Sequence, residues 1–408
     1  MHILFLTDNF PPETNAPASR TFEHAREWVA AGHEVTVITC APNFPNGRVF
    51  CGYRNRLWQQ EDMAGIRVIR VWSYMTGNEG FALRILDFVS FMLSSFLAAL
   101  FVRKPDVIVG TSPQFFTTVA AWAAGAIKRK PFVFELRDIW PESIRAVGVM
   151  EESRALDLLE KLELFLYRRA AAVVSVTHSF KRNLISRGID ENKLDVVTNG
   201  VDSSSFHQIP KDAALAVELN IEGCFVAGYI GTHGMAHALE TLLDAAAILQ
   251  DDPQAQHIRI LFLGHGAARN GLMARAEELG LTNVIFRASV PRNAVPAYWS
   301  LLDAALIHLR RTELFKTVIP SKMFECMGMG IPIILGVEGE AAEIVRQTGA
   351  GITIEPENSQ QLAEQLKTLS CEPQTLKEMS SAGVDAAQRY DRTALARSML
   401  TILKRVAK

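Results

Sequence analysis

Short apolar, β-branched runs alternate with helix-forming stretches along this chain, and the alternation breaks off once and then restarts. Few folds accommodate that pattern. Strands separated by helices form parallel sheets with right-handed crossovers, because a tight turn cannot return the chain to the starting end of a parallel neighbour. The first series of strands reads at 2–7 (HILFLT), Glu34–Thr39, Ile66–Val71, Asp106–Gly110, Phe132–Leu136 and Ala172–Val176. Thr21–Ala31 has helical composition and stops at Gly32. The second series reads at Cys224–Ile230, Ile258–Leu263, Asn283–Phe286, Asp303–His308 and Ile331–Leu335, with a helix at Ala238–Leu249. Between the two lies Val197–Pro210 (VTNGVDSSSFHQIP), whose Asn-Gly step, three serines and proline are the strongest break in the chain. The expectation is an α/β protein of two doubly wound, Rossmann-like domains, over 1–200 and 201–388, with a last helix over 389–408 crossing back to the first. A length of 408 residues fits two domains of about 100–200 residues each. Ligands bind off the carboxyl ends of open parallel sheets, so two such domains facing a central cleft are expected to hold their substrates there.

Composition narrows the partners. A net charge of −2 gives no electrostatic footprint for nucleic acid. The five cysteines (Cys40, Cys51, Cys224, Cys326 and Cys371) are scattered and form no C-x-x-C pair. That fits a reducing, cytoplasmic setting and offers neither a disulfide framework nor a zinc site. The run 2–7 is too short for a secretory signal and is followed at once by Asp8, Pro11 and Pro12. One stretch, Phe81–Val102, reads two ways. Its uncharged part spans 15 residues, short of the roughly 20 that cross a bilayer. It is either a buried helix of the first domain or a helix at the membrane interface, with Arg84, Arg103 and Lys104 at the lipid headgroups.

Candidate chemistry gathers at strand ends. In His308–Gly336 a basic loop leads into a short helix, Lys322–Met329, that Gly330 closes. Pro320 and Ser321 suit a helix start, with Ser321 as cap. Amides at that start, with Arg310, Arg311, Lys316 and Lys322, suit a diphosphate, and Glu325 one turn in suits a ribose diol. A capped surface helix beside a solvated basic loop has the same pattern. Gly231, Thr232 and His233 form a strand-to-helix turn that admits phosphate, and Gly264 and Gly266 form another. In that first turn His233 and His237 are the titratable groups on offer. In the first domain, Asp8–Arg20 is a proline-stiffened loop carrying Glu13, Asn15 and Arg20, and it lacks the G-x-G-x-x-G dinucleotide fingerprint. Arg137 and Asp138 follow a buried strand, as site residues or as a structural ion pair. No Asp-x-Asp follows a strand, so no metal is expected.

The run Glu325–Ile333 (ECMGMGIPI) resembles the second half of the signature of family-4 retaining glycosyltransferases of GT-B fold. That signature is a Glu, seven residues, a second Glu, then a small-residue helix and a Gly-x-Pro-(Val/Ile) strand. Thr317 stands where the first Glu is expected. Pro-Ser-Lys-x-Phe-Glu at 320–325 and Asp-x-Trp-Pro-Glu-Ser at 138–143 are similar to the WbuB-like subgroup of O-antigen and capsule assembly. The resemblance implies that Glu325 holds the donor ribose and that Asp138, Lys322 and Thr317 stand at the reacting sugar. Gly231, Thr232, His233, Gly264, Gly266, Arg310, Lys316, Pro320 and Ser321 would surround the donor, and Glu13, Asn15, Arg20 and Arg137 the acceptor. It further implies a UDP-sugar donor, with N-acetylfucosamine or another N-acetylamino sugar as the guess. The acceptor would be a saccharide linked to undecaprenyl diphosphate, transfer would retain configuration without cofactor or metal, and the enzyme would work at the cytoplasmic face of the inner membrane. Asn199–Asp202 matches the family's interdomain Asn-Gly-Val-Asp and reads as a hinge turn. A UDP-sugar 2-epimerase of the same fold and an inactive sugar-nucleotide-binding subunit are the rival readings.

Overall fold

The computed structural model describes residues 1–13, 15–44, 46–77, 81–139 and 154–408. The chain divides into two compact units, Met1–Asn199 with Arg392–Lys408, and Gly200–Asp391.

The first unit is built on an eight-stranded sheet. Its strands are β1 (His2–Leu6), β2 (Glu34–Cys40), β3 (Trp58–Met63), β4 (Ile66–Val71), β5 (Val107–Thr111), β6 (Phe132–Leu136), β7 (Ala172–Ser175) and β8 (Leu194–Val196), in the order β3-β4-β2-β1-β5-β6-β7-β8. All neighbours are parallel except β3 and β4. The central strands are buried throughout and almost wholly apolar because helices cover both faces. The edge strand β3 (WQQEDM) has no apolar run to announce it. It is held by a two-residue hairpin, in which Ala64 and Gly65 both take positive φ as a primed turn requires.

Helix α1 (Ala16–Ala30) begins five residues before the expected Thr21, because Asn15 accepts from the Ala18 amide as its cap and Pro17 fits the first turn. Helix α2 (Phe81–Phe101) packs Phe91, Ala98 and Ala99 into the core with α3 (Phe115–Lys128). Its other face is open, with Leu93 at 53% and Phe101 at 75% exposure, and Leu83, Leu86 and Leu97 are exposed as well. A fully buried helix therefore describes only half of α2. The closing helix, Arg392–Val406, lies against α1 of the first unit. There the Trp28 indole donates to the Ala396 carbonyl at 2.8 Å, and Arg392 pairs with Glu23.

The second unit carries a six-stranded parallel sheet. Its strands are β9 (Phe225–Ile230), β10 (Ile258–Leu263), β11 (Val284–Arg287), β12 (Ala304–His308), β13 (Ile333–Gly336) and β14 (Gly351–Thr353), in the order β11-β10-β9-β12-β13-β14. Strand order reverses beside β1 in the first sheet and beside β9 in the second. In each, that reversal opens the crevice where an open parallel sheet binds its ligand.

Candidate active site

In the second unit, two glycine turns leave β9 and β10 and lie backbone against backbone. The Gly231 amide donates to the Leu263 carbonyl at 2.9 Å and the His233 amide to His265 at 3.0 Å. A Cβ on Gly264, where φ is +151°, would fall 1.9 Å from the Gly231 carbonyl oxygen. A Cβ on Gly266 would fall 2.4 Å from that of His233. Both positions thus need glycine for the turns to meet. Thr232 is held through its carbonyl, which accepts from the Tyr229 hydroxyl at 2.8 Å.

The His233 ring is fully buried beneath these turns with neither nitrogen partnered. Burial pushes its pKa down to about 4, and that of His237 likewise. Both rings are therefore neutral near pH 7 and bring no charge to a phosphate.

The charge comes from Lys322. Its ammonium lies 3.7 Å from the centre of the Tyr229 ring and 2.7 Å from the place of a Cβ on Gly231. It is buried with no hydrogen-bonding partner, and burial lowers its pKa to about 8. The ring face contributes a cation–π attraction that a neutral wall would not. Met323, Phe324, Cys326 and Met327 fill the buried side of the helix. Glu325, half-buried and three residues on from Lys322, shares the lysine's face. Its negative charge works against the lowering of the Lys322 pKa.

Other expected donor groups are engaged differently. Ser321 stands at the helix start without capping it, because its backbone is already helical (φ −60°, ψ −29°) and its side chain makes no cap bond. The Met323 and Phe324 amides are met instead by the Pro320 and Ser321 carbonyls, at 3.0 and 3.2 Å. Arg310 braces the loop after Gly234, donating to the Met235 carbonyl at 2.5 Å and to Glu240 at 2.8 Å. Arg311 pairs with Glu355 at 2.6 Å, and Lys316 with Glu313 at 2.6 Å and Glu338 at 3.6 Å. The Thr317 hydroxyl donates to the Leu314 carbonyl at 2.6 Å. Of the four cations named from the sequence, only Lys322 has no polar partner.

In the first unit, a cavity of about 360 Å³ opens at the carboxyl ends of β1, β2, β4, β5 and β6. Asp8, Glu13, Asn15, Asp87, Gln114 and Asp138 contribute to its wall. Glu13 is 4% exposed. Its Oε1 accepts from the Asn43 and Phe44 amides at 2.8 and 2.9 Å, and its Oε2 is buried without a partner. Burial lifts Glu13 to about 7 and Asp87 to about 6. The Ser112 hydroxyl accepts from the Arg137 and Asp138 amides, at 2.8 and 3.2 Å, which fixes that strand end. Burial lowers Arg137 to about 10, and its Nη1 has no partner.

Arg20 is not among the cavity's groups. It is buried in α1, where its guanidinium donates to Glu135 at 2.9 Å, Val197 at 2.8 Å and Thr198 at 2.5 Å, tying the end of the sheet to the chain leaving it. Sequence reasoning missed Asp8 and Asp87 as wall residues. Asp87 directly precedes the uncharged part of Phe81–Val102, and only the fold of α2 turns it inward. Trp140–Ser143, part of the string that suggested Asp138, lies outside the described residues.

The Glycosyl transferase 4-like domain matches residues 15–200, and the Glycosyl transferases group 1 domain matches residues 213–385. The chain is a GT-B glycosyltransferase. The enzyme is 26% identical over 377 residues to the Escherichia coli (strain K12) protein named as the colanic acid biosynthesis glycosyl transferase WcaI, covering 89% of this chain and 90% of that one. Its fold is also that of sucrose-phosphate synthase from Thermosynechococcus elongatus, with a TM-score of 0.76 at 15% identity, covering 99% of this chain and 98% of that one. Anabaena HepE in complex with UDP-glucose superposes with a TM-score of 0.72 at 19% identity, covering 99% of each chain. In the enzyme, the glycine turns and Lys322 fall within the group 1 domain, and most of the cavity wall, including Asp87 and Asp138, falls within the 4-like domain, with Asp8 and Glu13 just ahead of it.

Proposed function

We propose that the enzyme transfers a sugar from a nucleoside diphosphate donor, a UDP-sugar, to a lipid-linked saccharide during assembly of a cell-surface polysaccharide. The observation that carries this reading is the unpartnered Lys322 ammonium beside the Gly231 turn. A buried ammonium with no hydrogen-bonding partner is costly unless a ligand supplies acceptors and negative charge, and a diphosphate supplies both. Glu325, on the same helix face, takes the ribose, and Thr317 and Asp138 act at the sugar. The likeness to the colanic acid protein supports a polysaccharide product, and the UDP-glucose complex of HepE supports the donor class.

Chemistry follows from these groups. The leaving diphosphate gathers negative charge as the sugar departs, and Lys322 stabilises that charge without a metal. Front-side attack, in which the leaving phosphate takes the acceptor proton, retains configuration and needs no protein nucleophile. The acceptor saccharide enters the cavity beside Glu13, Asn15 and Asp138. The open face of α2 lies on the cytoplasmic surface of the inner membrane, where undecaprenyl diphosphate would present its sugar; the exposed Trp58 ring meets Phe101 at 6.4 Å and widens that apolar face. An N-acetylamino sugar such as N-acetylfucosamine is the donor sugar on this reading.

A panel of nucleotide-sugars screened for thermal stabilisation tests the donor, since a ligand that binds only the folded state raises its apparent stability. Transfer of label from the stabilising donor to a lipid-linked acceptor tests the reaction. A donor epimerised in the absence of acceptor would overturn the proposal.

A further inference from the structure

Deepening the acceptor reading above, on which it rests, we infer that the cavity of the first unit takes a neutral, hydroxyl-rich sugar ring and turns away an anionic one. Four carboxylates, Asp8, Glu13, Asp87 and Asp138, contribute to its wall, and among the described residues Arg84 is the one cation there. A second carboxylate or a phosphate brought into that space meets like charges on several sides. The wall is nevertheless built to bind. Glu13 is anchored through Oε1 by two backbone amides, which leaves the buried Oε2 unpartnered at the cavity. Such an oxygen requires a donor, and a sugar hydroxyl is one.

The remaining wall fits the same ligand. Phe44 and Phe88 offer apolar surface to the C–H face of a pyranose, with Asn15 and Gln114 beside them. Asp87 accepts from the Ser73 hydroxyl at 2.9 Å and stands in the field of Asp8, which raises its pKa further. Near pH 7 Asp87, at about 6, stays mostly ionised and accepts from hydroxyls, while Glu13, at about 7, both donates and accepts, as a polyol demands. A metal ion is the obvious other claimant for clustered acids. Among the described residues, no group of three or more His, Cys, Asp or Glu side chains is arranged to hold one. The volume of about 360 Å³ lies in the range of small-molecule sites.

The test titrates the full-length enzyme with methyl α-D-glucopyranoside, N-acetyl-D-glucosamine and D-glucuronate, followed by ligand-observed NMR. The neutral sugars are expected to bind in the millimolar range, with glucuronate at least about tenfold weaker. In Asp87→Asn that gap should narrow, while in Glu13→Gln the neutral sugars should lose affinity. Glucuronate binding as tightly as the neutral sugars, or no neutral sugar binding at all, overturns the inference. Failure of the acceptor reading looks different: neutral sugars then bind here but do not compete with the lipid-linked acceptor in the transfer assay.

Discussion

Lys322 carries a charge that its surroundings resist, and that resistance gives it a signature. Burial brings its pKa to about 8, so a modest rise in pH neutralises it in the free enzyme. A bound diphosphate favours the ammonium and draws the proton back. Affinity for UDP should therefore fall several-fold between pH 7 and pH 9, with proton uptake on binding at the higher pH. Calorimetry in buffers of different ionisation enthalpy measures both, and both should vanish in Lys322→Ala. A second prediction concerns Glu13, whose folded pKa of about 7 lies above its ordinary 4.5. Between those values the folded state holds more protons than the unfolded one, so the stability contributed by protonated Glu13 is complete below pH 4.5 and lost as pH rises through 7. Glu13→Gln, neutral at every pH, should then raise the melting temperature at pH 8, by an amount equivalent to about 1–3 kcal/mol, and change it little at pH 4.5. Melting curves at the two pH values check the sign.

At the scale of elements, α2 serves two surroundings at once. Its inner face supplies Phe91 to the core and Asp87 and Phe88 to the cavity, while its outer face shows Leu93, Leu97 and Phe101 to solvent. Lys128 steadies its carboxyl end, donating to the Leu100 and Val102 carbonyls at 2.9 and 2.8 Å. An apolar face bordered by Arg103 and Lys104 matches an anionic lipid surface. The enzyme should float with liposomes rich in phosphatidylglycerol, and Leu93→Gln with Leu97→Gln should reduce that fraction severalfold with the melting temperature retained. Loss of flotation in neither the double variant nor high salt would sink the membrane role of α2. The hairpin β3–β4 and the early start of α1 belong to this scale too. A polar edge strand carries no hydrophobic period, and Asn15 reads as a cap only once the helix behind it is known.

At the scale of the molecule, the chain's last helix completes the unit that its first strand began. Met399 and Leu403 are buried in one core with Phe5 and Trp28, nearly four hundred residues away in sequence. Leu403→Ala should cost about 2–5 kcal/mol, as deleting a buried leucine side chain does. Its effect should appear as faster proteolysis within Met1–Asn199 rather than within Gly200–Asp391. A peptide map after brief trypsin treatment distinguishes the two.

Much of the architecture was legible from side-chain patterning alone. Mostly apolar strands spaced by helices imply covered parallel sheets, so the two α/β series and the glycine turns after β9 and β10 could be read directly from residue order. The segment around Lys322 and Glu325 was likewise visible, because a basic, proline-led helix start is a local feature. What residue order could not supply was which groups meet. Arg20 and Arg137 look alike along the chain, yet one is saturated by Glu135 and two carbonyls and the other keeps a buried nitrogen unpartnered. Arg310, Arg311 and Lys316 looked as suited to phosphate as Lys322 until each was found beside a carboxylate. Burial, partner and pKa are set by atoms distant in sequence, and packing brings those atoms together.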